Sequence, residues 1–134
     1  MLRALILLLI VAILLAGCAT TAMKPVTGND VIQFFKGAGL EVENARPMTK
    51  DDYGLMPELC PAVIFDIPSQ GDKHGRVFVC EDSDKREAVA NYYITIRKTN
   101  AMLWSWVYVK GNFVVQLNGE IDEAIAKKYE AAIP

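Results

Sequence analysis

The sequence predicts a small α+β domain: a mostly antiparallel five-stranded sheet with three helices packed mainly on one face, in the order α-β-β-β-α-β-β-α. Three observations predict it. Apolar residues recur at helical spacing in three separate stretches. Five short runs are rich in β-branched and aromatic residues with turn residues between them. Strands follow one another instead of alternating strictly with helices, which favours antiparallel pairing over a parallel βαβ arrangement.

The first helix opens on a capping-box pattern, Thr27 with Asp30 three residues later. Val31, Phe34, Phe35 and Ala38 follow at helical spacing as its buried face, and Gly37 and Gly39 end it. Residues 40–45 alternate apolar and polar and form the first strand. Residues 46–59, with Pro47, Gly54 and Pro57, read as a long loop. Residues 62–67 and 76–80 are the second and third strands, most simply an antiparallel hairpin around a polar loop at 68–75. Ser83 or Asp84 caps the second helix, whose stripe is Val89, Tyr92, Tyr93 and Ile96.

Residues 103–109 and 113–118 are the last two strands, joined at Gly111-Asn112, where glycine supplies a positive φ. That turn sets Lys110 opposite Phe113, Tyr108 opposite Val115 and Trp106 opposite Leu117. One face of this hairpin carries Trp104, Trp106, Tyr108, Phe113, Val115 and Leu117 and reads as core beneath the helices. The other is half polar. Its Ser105, Val107 and Gln116 are the expected contact surface for a partner, a ligand or a second copy. Ile121, Ala124, Ile125 and Tyr129 mark a closing helix.

The N-terminus has a different character. The chain has 134 residues, 52% of them hydrophobic, and a mean hydropathy of +0.20. An unbroken apolar run from Ala4 to Ala16 inflates those figures. Thirteen residues are too few for a transmembrane helix, which takes about 20. Preceded by Arg3 and followed by small residues, the run fits the hydrophobic segment of a signal peptide. Leu15-Ala16-Gly17-Cys18 resembles the lipobox of bacterial lipoproteins. The resemblance covers residues 1–18 alone. It implies diacylglycerol transfer to the Cys18 thiol, cleavage of residues 1–17, and acylation of the new amine with palmitate or a similar chain. The protein would then sit in the cell envelope, on a membrane surface facing away from the cytoplasm. Ala19, where an Asp would signal retention, resembles lipoproteins released to the outer membrane of two-membrane envelopes. Two or three acyl chains make a durable anchor where one is marginal. Residues 18–26 read as a short tether, of which eight residues span on the order of 15 Å. Residues 27–134 form the single domain.

Without Arg3, 13 basic side chains face 16 acidic ones, a net charge of −3 that argues against nucleic acid as a partner. Cys60 and Cys80 flank the 62–80 hairpin and fall nearly opposite one another, so a disulfide is expected in an exported protein. Two buried thiols are the alternative, and the lack of a C-x-x-C spacing speaks against a redox pair. His74 is the lone histidine and reads as a solvated loop residue; no metal or cofactor motif is present. Glu81, Asp82 and Asp84 lack the spacing of a calcium loop and read as helix-capping residues. The expected function is therefore non-enzymatic, a binding or interaction module held at a membrane through Cys18. Two alternatives stand beside it. One is an envelope hydrolase gathering Asp66, His74 and part of the 46–59 loop. The other is a structural lipoprotein that self-associates.

Overall fold

The computed structural model describes residues 24–134. The signal segment, Cys18 and the tether up to residue 23 lie outside those residues. The elements are α1 (Gly28–Gly37), β1 (Glu43–Pro47), α2 (Lys50–Tyr53), β2 (Ala62–Asp66), β3 (His74–Val79), α3 (Ser83–Thr99), β4 (Ser105–Lys110), β5 (Phe113–Asn118) and α4 (Glu123–Ala131). All five strands form one antiparallel sheet in the order β1-β2-β3-β5-β4. The α+β class and the element order match the sequence reading, with the one-turn α2 added inside the expected 46–59 loop.

Helices cover both faces, which corrects the expectation of a sheet covered mainly on one side. α1 and α4 share one face, where Phe35, Phe65 and Tyr129 pack ring against ring with centroids 5.2–5.9 Å apart. The longest helix, α3, lies on the other, over Phe78 and Val114. Both faces of β5 are buried as a result, and its run FVVQLN is buried at every position but the last.

α1 begins on the expected capping box, with Asp30 N–H donating to the Thr27 hydroxyl at 3.3 Å and Thr27 N–H to the Asp30 carboxylate at 2.7 Å. Its buried stripe is Gly28, Val31, Ile32 and Phe35; Phe34, expected inside, is 50% exposed. Gly28 sets that rotation. A Cβ there would stand 2.9 Å from a Val63 methyl, so the helix approaches the sheet along its glycine edge.

β1 starts three residues later than expected. Val42 is already buried in the core, and the strand is an exposed edge. Its register shifts between Glu43 and Arg46, where Asn44 takes a positive φ of 49°. β3 starts two residues earlier than expected, so His74 is a strand residue and not a loop residue. The β4–β5 hairpin has the expected register, Trp106 on Leu117, Tyr108 on Val115 and Lys110 on Phe113, with Gly111 at φ +54°. Trp104 belongs to the turn before β4, its ring 4.3 Å from that of Trp106.

Cys60 and Cys80 are joined in a buried disulfide, with Cα atoms 5.3 Å apart. It ties the loop after α2 to the end of β3, and the Tyr53 hydroxyl donates to the Cys60 carbonyl at 2.9 Å beside it.

Candidate functional site

The α3 face of the sheet divides into two halves. Ala62, Phe78 and Val114 form an apolar half that Val89 and Ala90 of α3 and the disulfide cover. Beyond Ala90 no residue of α3 is fully buried. The strand positions beside that stretch carry several polar side chains. Arg46, Ile64, Arg76, Gln116 and Val107 form one cross-strand row, and Asp66 pairs with His74 in the next. A two-part cleft lies over these rows. Each part holds about 390 Å³, and Asp52 and Arg76 line both.

The first part is polar. His74 Nδ1 lies 2.8 Å from Asp66 Oδ1, and Asn44 Nδ2 donates to the other oxygen of the same carboxylate at 2.8 Å. These two partners, Asn44 first, hold the Asp66 carboxyl below its ordinary range. An ionised carboxylate only accepts, so Nδ1 carries the proton; in the neutral ring Nε2 is left as an acceptor. Arg46 grips Asp52 through both guanidinium nitrogens, at 2.7 and 2.8 Å. Asp52 also accepts from the Thr49 N–H and hydroxyl, which fixes α2. Its carboxyl is held far below the usual range, chiefly by Arg46 and then by Thr49. This part therefore gathers Asp66, His74 and residues of the 46–59 loop, the set that the hydrolase alternative requires. Its lining holds no Ser, Thr or Cys, and the disulfide occupies both domain cysteines. No hydroxyl or thiol nucleophile lines this part, and the Asp66–His74 pair suits the polarisation of a water.

The second part is walled by Tyr53 and Leu55 on one side, by Tyr92 and Tyr93 of α3 on another, and by the turn Met102–Trp104. Burial pushes the Tyr93 hydroxyl up to about 12, so it remains a neutral phenol at physiological pH. Leu55 and Met102 stand at the rim, 93% and 91% exposed. Gln116 and Ser105 form the floor and are 3% and 5% exposed. Gln116 Nε2 donates to Ser105 Oγ at 2.9 Å, and its Oε1 accepts from Arg76 Nη1 at 2.8 Å. Of the residues expected at a contact surface, Val107 packs against the α3 core, and Ser105 and Gln116 line this cleft.

Sequence reasoning missed Arg76, Arg46, Asp52 and the aromatic wall. The pattern Thr49-x-x-Asp52 is a capping signal that marks α2. Nothing local marks Arg76, which acquires its setting only once β3 lies between β2 and β5. Of the acidic trio, Asp82 is the cap of α3, accepting from the Lys85 N–H at 2.9 Å. Among the described residues no three His, Cys, Asp or Glu side chains group as metal ligands, and no helix is long and apolar enough to cross a membrane.

Larger hollows, of about 560 and 550 Å³, lie between the tether and α1 and along the flank of α3 beside Met56 and Leu59. Both are mostly apolar grooves with polar side chains such as Asp30 and Gln33 or Asn91 and Thr95 along them, whereas the buried polar pair Ser105 and Gln116 lies in the cleft. No protein-family model, curated protein or solved structure matches the chain.

Proposed function

We propose that this chain is an envelope lipoprotein, anchored to a membrane through acylated Cys18, whose domain is a non-enzymatic binding module using the cleft on the α3 face. The observation that carries the binding half of this reading is the cleft itself. A polar floor locked by buried hydrogen bonds meets an aromatic wall and an apolar rim, the combination that orients and holds a ligand. The anchoring half rests on the lipobox-like residues Leu15 to Cys18 and on the disulfide, which suits an oxidising compartment. The partner would be a small molecule or a protein segment at the membrane surface. With Ala19 after the acylated cysteine, the outer membrane is the expected address where two membranes exist.

The test is amide-resolved NMR of the isotope-labelled domain titrated with a soluble envelope extract. The expected result is a set of shift changes confined to Gly54, Leu55, Met102, Ser105 and Gln116, with no new product. Changes on the α1 and α4 face instead would overturn the cleft, and concentration-dependent broadening without extract would favour self-association.

The Asp66–His74 pair supports a second reading, a hydrolase that activates water at His74 Nε2. Products appearing in the same titration, and vanishing with His74→Ala, would replace the first reading by this one.

A further inference from the structure

We infer that the cleft takes an organic carboxylate, its anionic end on the guanidinium of Arg76 and its apolar body between Tyr93 and the Leu55–Met102 rim. This rests on the binding-module reading and names its ligand class.

Arg76 is the starting point. It is mostly buried at the junction of the two parts of the cleft. The other guanidinium there, Arg46, is neutralised by Asp52 through two hydrogen bonds. Among the described residues, Arg76 has no carboxylate within salt-bridge distance. A guanidinium offers five N–H donors. Of these, one on Nη1 goes to Gln116; Nε is buried without an acceptor, and Nη2 makes no hydrogen bond among the described residues. A cation in that state is costly to keep unless something completes it.

The setting also fixes the direction of the vacant donors. Gln116 is buried, and its amide N–H₂ is committed to Ser105, so its oxygen has to point at Arg76. That holds the guanidinium plane; Nε is sealed from the cleft, so the donors left for an acceptor there are on the terminal nitrogens. A planar fork of two N–H groups matches the two oxygens of a carboxylate.

The charge count selects a monoanion. Arg76 is the cation without a carboxylate partner among the described residues, while Asp51, Asp52 and Asp66 all line the two parts of the cleft, so a second negative charge on the ligand is disfavoured. A phosphate dianion there would face Asp52 without a second free cation. Size and polarity select the rest of the ligand. About 390 Å³ is at the small end of ligand cavities, and Tyr92, Tyr93, Leu55 and Met102 offer apolar and aromatic surface for its body.

The experiment uses the chain from Ala19 onward, since every residue of the two cores lies between Val31 and Ile133. The probes are 3-phenylpropionate, its neutral amide and inorganic phosphate. The readouts are Trp fluorescence and the side-chain Nε–H signal of Arg76. 3-Phenylpropionate should shift that Nε–H signal and bind roughly ten-fold or more tighter than the amide, the scale of one charge-assisted pair. Phosphate should leave both readouts unchanged. Arg76→Lys should remove most of the preference for the carboxylate over the amide. Should Arg76→Lys fail to fold, Met102→Ala and Leu55→Ala, at exposed positions, must weaken both organic probes, and the wild-type Nε–H shift is decisive alone. Equal binding of amide and carboxylate overturns the anion site but leaves a binding cleft in place. Tighter binding of phosphate, or no response of the Nε–H signal to any probe, overturns the inference outright.

Discussion

His74 Nδ1 and Asp66 Oδ1 lie 2.8 Å apart because the β2–β3 register places the two residues directly opposite. Neither belongs to a loop. The sheet aims both side chains over the same strand ends as Arg76 and Gln116, so the α3 face carries all the polar groups discussed above. The opposite face buries only apolar and aromatic side chains.

The acid limb of stability should report Asp52 and Asp66. Both carboxyls are lowered in the folded state, Asp52 by Arg46 and Thr49 and Asp66 by Asn44 and His74. A depressed folded-state pKa adds stability that is complete above the unfolded-state pKa of about 3.9 and disappears as pH falls toward the folded value. Urea unfolding of the wild type should therefore weaken below about pH 4. Asp52→Asn should cost about 1 kcal/mol at pH 7, through the lost cap and ion pair, and flatten that limb. An unchanged acid limb in Asp52→Asn would show that the carboxylate is not paired in solution.

The disulfide closes a segment with a sequence separation of 20, for which chain entropy gives about 3 kcal/mol. Cys60→Ala/Cys80→Ala should lower the melting temperature by roughly 10–20 °C. Thiol titration of the exported protein under denaturing conditions should find no free thiol at these positions until a reductant is added.

Two glycines should respond in opposite directions. A Cβ on Gly75 would stand 2.2 Å from Phe65 Cζ and 2.8 Å from Leu117 Cδ2, in a fully packed region. Gly75→Ala should destabilise by about 2 kcal/mol. At Gly37, the last residue of α1, nothing lies within 4 Å of a Cβ and the backbone is not left-handed. Gly37→Ala should be neutral or stabilise by about 0.5 kcal/mol. Denaturant midpoints compared side by side check both.

Acylation has its own test. Labelled palmitate should be incorporated into the wild-type chain, and Cys18→Ser should lose the label and leave the membrane fraction. A Cys18→Ser protein that stays in the membrane would point to a different anchor.

Much of the fold was legible because it rests on local chemistry. The Gly111-Asn112 turn fixed the register of β4 on β5, and residues 62–80 read as a hairpin that carries Cys60 to Cys80. The site was less legible. Gln116 and Ser105 are polar residues on a strand pair, and alternation assigns such positions to solvent. They are buried at the floor of a cleft that α3 and the Met102–Trp104 turn wall in, a long-range event that no local pattern records. The irregular β1 escaped for a related reason: its shift at Asn44 depends on pairing with β2. Phe34 shows the limit of periodicity. Ile32 and Phe34 are equally apolar, and the close approach at Gly28 decides which one faces the sheet.

In-cell photocrosslinking tests the cleft most directly. A photoreactive amino acid would be placed at Leu55 or Met102 on the rim, and at Lys127 on the exposed side of α4 as the control. Discrete adducts are expected from Leu55 and Met102, reduced by Arg76→Lys, and none from Lys127. Equal adducts at all three positions, or adducts from Lys127 alone, would contradict binding at the cleft.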